Sequence, residues 1–273
     1  MKIYDNNCTA LYCIGDTHGY YNVYQYMIKS HDLRDAAIVC CGDIGIGWEK
    51  AEHYKTLFRS LNKLCKERNV QVYMVRGNHD DPAYFRNSAI DYSNVHMVPD
   101  YSVIRMLEHN ILCIGGATSV DRVYRKQQME RSARDYMRWH RGVDFDTALS
   151  IASKGYWHDE GVVFSDNDFM ELKDGGIEID TVCTHTAPAF CAPTQKGNIQ
   201  GFLAMDPPLA GDLDNERNTM TAIYGRLIED GHPLKNWVYG HFHFHNTEYV
   251  DGVRFLLLDE IHAGQNFDIA DIR

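Results

Sequence analysis

The stretch Ala10-Leu11-Tyr12-Cys13-Ile14-Gly15-Asp16-Thr17-His18-Gly19 decides how this chain is read. A short apolar run of strand length meets a glycine, and the glycine opens onto an aspartate and a histidine. The pattern recurs twice. Ala36-Ala37-Ile38-Val39-Cys40-Cys41 empties into Gly42-Asp43-Ile44-Gly45, and Val70-Gln71-Val72-Tyr73-Met74-Val75 empties into Arg76-Gly77-Asn78-His79-Asp80. Between these runs, residues 20–30 place Val23, Tyr26 and Met27 at helical spacing, and residues 49–68 do the same with Leu57, Leu61 and Leu64. Strand, helix, strand, helix, strand implies right-handed crossovers and a largely parallel sheet. Functional groups in such sheets gather at the carboxyl ends of the strands.

Further along, residues 95–98, 103–107 and 110–114 read as short strands. Residues 117–174 are irregular and charged, with helices expected near 127–138 and 147–154, and their thin apolar content suggests an insertion over one sheet edge. The expectation is one domain, 1–273, with that insertion inside it. Strand 179–183 delivers Thr184-His185, and strand 237–239 delivers Gly240-His241-Phe242-His243. Residues 188–214, rich in Pro, Gly and Asn, read as a loop able to form a rim or lid, and residues 215–230 as a helix. Asp251-Gly252 between runs 247–250 and 253–258 signals a hairpin.

Bulk properties narrow the function. Thirty-eight acids against 27 bases give a net charge of −11, which argues against a broad grip on nucleic acid or an anionic membrane. Bound metal ions would still allow a phosphate substrate. The N-terminus lacks the apolar run of a signal peptide, and no stretch is long enough to span a bilayer, so a cytoplasmic setting is expected. The 8 cysteines include no CxxC and several lie within strand-like runs, as buried reduced thiols would.

The polar stretches carry the chemistry. Asp16 and His18 stand two apart and, on an extended segment, point the same way; His241 and His243 repeat that geometry. Asp43 adds a second carboxylate able to bridge two cations, while Asn78 and His185 add an amide oxygen and an imidazole. This mixture suits Mn, Fe or Zn and lacks the thiolates of a structural zinc site. Two such metals can hold a hydroxide between them and clamp a phosphoryl oxygen for in-line attack. His79 is placed to protonate the leaving oxygen, with Asp80 or Asp81 beside it to orient the imidazole. Arg76, Arg122 and Arg125 can grip phosphate through their planar forks.

In this order, GDTHG, GDIG, RGNHD, TH and GHFH resemble the calcineurin-like metallophosphoesterases, over residues 15–243. The resemblance implies an α/β/β/α sandwich of two mixed sheets with a dinuclear metal centre at one end. It assigns Asp16, His18, Asp43 and His243 to one metal, and Asp43, Asn78, His185 and His241 to the other, with His79 as the catalytic histidine. One departure matters. Where the phosphoprotein-phosphatase branch reads GDxxDRG, this chain has Ile46 in place of the second Asp, which weakens a protein Ser/Thr phosphatase assignment. The expected activity is a phosphomonoesterase acting on a phosphorylated small molecule or phosphoprotein. A phosphodiesterase or nucleotide-pyrophosphate hydrolase is the alternative. A non-catalytic scaffold of the same fold would show missing ligands, and none is missing.

The remaining histidines, His31, His53, His96, His109, His140, His158, His232, His245 and His262, read as core or surface residues, with His245 notable for extending the His241–His243 alternation. Tyr20 and Tyr21 read as packing residues. Residues 157–160, Trp-His-Asp-Glu, either cap the site or begin a helix of the insertion.

Overall fold

The structure, a computed structural model, describes residues 1–86, 90, 92–107, 109–151, 155–194, 197, 199–262 and 270–272. In chain order the strands are β1 (Ile3–Asp5), β2 (Ala10–Ile14), β3 (Ala36–Cys40), β4 (Val70–Val75), β5 (Val95–Val98), β6 (Ser102–Arg105), β7 (Asn110–Ile114), β8 (Thr181–Thr184), β9 (Asn236–Tyr239), β10 (Asn246–Val250), β11 (Val253–Leu257) and β12 (Ala270–Ile272). The helices are α1 (Asn22–Ser30), α2 (Ala51–Arg68), α3 (Pro82–Arg86), α4 (Arg122–Trp139), α5 (Phe145–Ile151), α6 (Asp166–Asp174), α7 (Gln200–Met205) and α8 (Leu209–Glu229).

Strands alternate their side chains between two faces, and here both faces are buried. Along β3, Ala36, Ile38 and Cys40 pack outward against α1 and α2, while Ala37, Val39 and Cys41 pack inward against the second sheet. Along β9, Trp237 and Tyr239 meet Phe169 of α6 and Ile223 of α8, and Val238 joins the inter-sheet layer. Three apolar layers therefore separate helices, sheet, sheet and helices. This is the expected α/β/β/α sandwich. One sheet has five strands in the order β12-β2-β3-β4-β5, parallel except at β12. The other has seven, β1-β6-β7-β8-β9-β11-β10, with β7, β8, β9 and β11 parallel. The hairpin β10–β11 turns at Asp251 and Gly252, both in the left-handed region as a two-residue turn requires.

Two stretches differ from expectation. The helix expected near 127–138 is longer than its sequence pattern, running over Arg122–Trp139. Helix α4 buries only Arg125 and Ala133, so it shows little amphipathic signal. Charged pairs along its surface support it instead: Asp121–Arg125, Glu130–Arg134 and Asp135–Arg138. Its neighbour α6 belongs to the core rather than to an edge, through Phe169 and Leu172. The expected helix 147–154 runs from Phe145 to Ile151, and 152–154 lie outside the described residues. The expected loop 188–214 contains α7, and α8 begins at Leu209 rather than 215. Pro207 and Pro208, read as loop residues, stand at the start of α8, where proline's missing N–H costs nothing. Strands β1 and β12 and helices α3 and α6 were too short or too polar to read from periodicity.

All 8 cysteines are free and buried. Among the described residues, no helix is long and apolar enough to cross a membrane. The layer architecture makes a specific prediction. Phe255, fully buried between Trp237 and Phe190, should lose about 3–5 kcal/mol on replacement by Ala. Tyr249, on the outer face of the edge strand β10, should lose no more than about 0.5 kcal/mol. Urea denaturation midpoints of the two variants check this.

Candidate metal centre

Parallel strands deliver the polar residues to one end of the sandwich. β2 leads into Asp16 and His18, β3 into Asp43, β4 into Asn78 and His79, β8 into His185, and β9 into His241 and His243. Three groups bring their ligand atoms within 4.8 Å of one another: Asp16, His18 and His243; His18, Asp43 and His79; and Asp43, His185 and His241. Shared members make these one continuous cluster. Within it, His243 Nε2 lies 3.1 Å from Asp16 Oδ2 and 3.3 Å from His18 Nε2. His185 Nε2 lies 3.3 Å from Asp43 Oδ1, 3.1 Å from Asn78 Oδ1 and 3.2 Å from His241 Nδ1.

The donors fit divalent cations. His185 Nδ1–H donates to the Cys41 carbonyl at 2.8 Å, which turns Nε2 toward the acceptor oxygens of Asp43 and Asn78. Acceptor facing acceptor needs a positive charge between them, which a proton on Nε2 supplies without a metal and which a divalent cation would replace. Burial works against charge on His185, yet Asp43 and Asp16 outweigh it and hold the imidazole up at about 9. Burial likewise opposes ionisation of both aspartates. The neighbouring imidazoles, His185 foremost, nevertheless keep Asp16 below and Asp43 well below the usual carboxylate range. Asp43 Oδ2 is buried and has no hydrogen-bond partner among the described residues. A cation would satisfy it.

The backbone is bent to make this cluster. His18, Asp43, His241 and His243 have φ of +41°, +48°, +72° and +57°, a region costing of order 1–3 kcal/mol per non-glycine residue. Hydrogen bonds hold them there: His18 N to Asp43 O at 2.8 Å, His79 N to Asp43 Oδ1 at 2.7 Å, and His241 N to Asp16 Oδ1 at 3.1 Å. Two glycines make room for the carboxylates. A Cβ at Gly77 would stand 2.0 Å from Asp43 Oδ1, and one at Gly240 would stand 2.2 Å from Asp16 Oδ1.

The other expected residues divide. His79 stands at the cluster, its ring edge-on to His18 and Trp48. Burial pushes its imidazole down to about 4; Asp43 opposes that, and Arg125 adds to it. Arg125 reaches from α4 and donates from Nη2 to His79 Nε2. Asp80 does not orient His79. Its carboxylate accepts instead from the backbone N–H groups of Ile44, Gly45, Ile46 and Gly77, tying the loop after β3 to the loop after β4. Burial, then Asp43, raises it to about 6. Arg76 is buried and spends its guanidinium on Asp100 and the carbonyls of Glu160 and Gly161. Arg122 pairs with Asp206 at 2.5 Å and Asp212 at 2.6 Å, joining α4 to the α7–α8 region. His245 is exposed and falls in none of the three groups.

Ser119, Glu260 and Trp48 were given no role from the sequence, and Glu160, in the 157–160 stretch expected to cap the site or begin a helix, lies behind it. Asn78 Nδ2 donates to Ser119 Oγ at 2.9 Å, and Ser119 Oγ donates to Glu160 at 2.7 Å, which turns the amide oxygen of Asn78 toward His185. Glu260, just past β11, lies 3.5 Å from His243 Nδ1. Trp48 stacks on His18. The one available signal was Ser119 within Gly115-Gly116-Ala117-Thr118-Ser119, a polar turn at the end of an apolar strand like the five that were recognised.

Two mixed sheets carrying an Asp/His/Asn cluster at their carboxyl ends define a metal-dependent phosphoesterase. A model of the calcineurin-like phosphoesterase family matches residues 10–245, and the chain belongs to that family. Similar solved structures include a dimetal phosphatase from Danio rerio, with 11% identity over 93% of this chain and 88% of that one, at a TM-score of 0.46. A phosphopantetheinyl hydrolase from Mycobacterium tuberculosis is 16% identical over 92% of this chain and 89% of that one, at a TM-score of 0.43. No curated protein matches the sequence significantly.

Two substitutions test the supports. Ser119→Ala should leave the fold intact and lower divalent-metal affinity about 10–100-fold, because Asn78 loses its orienting partner. Gly77→Ala should disrupt metal binding more severely by displacing Asp43. Calorimetric Mn titration of the metal-stripped proteins measures both.

Proposed function

We propose that this phosphoesterase hydrolyses phosphomonoesters, with Asp16, His18, Asp43 and His243 holding one divalent cation and Asp43, Asn78, His185 and His241 a second. The observation that carries this reading is Asp43, a member of groups on both sides of the cluster with a buried oxygen left unpaired among the described residues. When bound, two ions of the Mn, Fe or Zn type supply Lewis acidity toward a phosphoryl oxygen and an activated water at neutral pH.

The chain's own residues do the rest. Arg125 brings a guanidinium fork to the cluster, matched to phosphate oxygens. While Arg125 donates to His79 Nε2, that nitrogen carries no proton. A phosphate that took up the guanidinium would release Nε2 and remove a cation that helps depress the imidazole, so that Nε2 could take a proton from solvent and deliver it to the leaving oxygen. Trp48, Tyr124 and Met129 line a cavity of about 390 Å³ around His79 and Arg125. Helix α4, part of the 117–174 insertion within a single domain, thus narrows the approach and adds a cation, as a compact dianionic monoester requires. A phosphorylated small molecule or phosphoprotein fits this site. The net charge of −11 speaks against nucleic acid, and the free buried thiols suit a reducing cytoplasm. A diester or nucleotide pyrophosphate is the second reading, favoured by a further cavity on the His241 side that offers room for another organic group.

Turnover of a chromogenic phosphomonoester and its matching diester by Mn-loaded protein tests the reading, with Asp43→Asn as blank. Faster monoester turnover, lost at least about 1,000-fold in the blank, is expected. Faster diester turnover replaces the first reading with the second, and no turnover of either by metal-replete protein overturns both. His79→Ala should retain metal and lose about 100–10,000-fold on esters with poor leaving groups, but little on good ones. Equal losses on both would remove the proton-donor role.

A further inference from the structure

Beside the metal cluster, on the side of His241, lies a cavity of about 140 Å³ walled by Val120, Ile199, Leu203, Leu213 and Phe242. That volume is close to the roughly 150 Å³ apolar cavity that admits a benzene molecule. Into this apolar surround α8 sets a charge. Arg217 lines the cavity, is only 7% exposed, and lies over the Phe242 ring at 5.2 Å. Its Nη2 donates to the Cys191 carbonyl at 2.5 Å. Its Nε and Nη1 are buried with no hydrogen-bond partner among the described residues.

Buried polar groups are almost always hydrogen-bonded, and a buried guanidinium with two unmet nitrogens calls for an oxygen acceptor. The charges around it choose the kind of acceptor. Glu216 and Asp214 line the same cavity, and Glu216 already accepts from Thr118 N and Thr186 Oγ1. Two acids on the wall of the same cavity, with Glu216 next to Arg217, leave no surplus of positive charge for an anion. A neutral carbonyl or amide oxygen meets the free N–H groups without adding to the negative side.

We propose that the Arg217 cavity is a specificity subsite beside the metal centre, taking a ring-sized apolar group of the substrate that carries a neutral oxygen acceptor. The inference rests on the phosphoesterase reading, because the substrate's phosphate must sit at the metal cluster while its organic group enters the cavity past His241. Arg217 sets which organic group is accepted and takes no part in bond breaking.

The test uses Mn-loaded full-length protein and three phosphate-free probes followed by calorimetry: phenol, 4-hydroxybenzamide and its isosteric acid 4-hydroxybenzoate. The phosphate monoesters of phenol and of the amide are assayed in parallel. The amide is expected to bind at least tenfold more tightly than either other probe. Arg217→Met keeps an unbranched apolar stem in the cavity wall but removes the guanidinium that lies over Phe242 and all its donors, and should bring the amide down to the level of phenol without weakening phenol. Equal binding of amide and phenol, or an amide advantage that survives Arg217→Met, overturns the proposal; so does tightest binding of the acid. Should Arg217→Met fail to fold, Leu203→Trp fills the cavity with the guanidinium in place and should weaken the amide tenfold, and unchanged binding there is equally fatal. Hydrolysis of phenyl phosphate with no amide preference in binding removes the subsite and leaves the phosphoesterase. Arg217-dependent amide binding without hydrolysis of either ester keeps the subsite and removes the proposed activity.

Discussion

Burying ionised carboxylates at one end of a sandwich is the constraint from which the rest of this structure follows. Asp16, Asp43 and Asp80 are all at most 1% exposed, and an unpaired carboxylate in such a place costs several kcal/mol. Each is treated differently. Asp80 is satisfied by four backbone N–H groups and becomes the knot between two loops. Asp16 takes the His241 N–H and faces the His243 imidazole. Asp43 takes one N–H, from His79, and keeps Oδ2 without a hydrogen-bond partner among the described residues, 3.9 Å from His79 Nε2. The contrast separates an anchoring acid from one poised to hold a cation.

The cluster is possible because the two sheets turn the same end toward it. β2, β3 and β4 approach from one sheet and β8 and β9 from the other, so imidazoles from opposite sheets meet carboxylates across the seam. The inter-sheet layer of Val39, Val75, Ile104 and Val238 fixes the distance between them. Left-handed φ values at four ligand candidates are sustained by that surrounding structure, since no local preference of Asp or His explains so many in one place. Helix α4 completes the site from outside the sandwich core. It contributes Arg125 and very little apolar burial.

Much of this was legible in the sequence because β2, β3 and β4 are continuous apolar runs that each lead into a glycine followed by a polar ligand type. That is how Asp16, Asp43 and Asn78 could be marked in the sequence, whereas His185 and His241, from the second sheet, joined them through the motif order of the family the sequence resembles. Asp80 was misread because chain proximity to His79 says nothing about where a carboxylate turns, and backbone N–H groups leave no trace in residue identity. Which of Arg76, Arg122 and Arg125 is engaged elsewhere could not be read from the sequence, because an arginine's partner, here Asp100 or Asp206, lies far away in the chain. Ser119, Glu160 and Glu260 act through other side chains, so their roles exist only once the strands are side by side. Helix α4 was expected only over 127–138, because a surface helix held by ion pairs lacks the periodic apolar stripe that marks a helix's full extent, and the short α7 within 188–214 was not expected.

The account's central claim is that Asp43 is shared between two metal positions. Electron paramagnetic resonance of the protein loaded with two equivalents of Mn(II) tests it most directly. A shared carboxylate predicts an exchange-coupled dinuclear spectrum. A spectrum of magnetically isolated Mn(II) ions at two equivalents, or saturation at one, would contradict it.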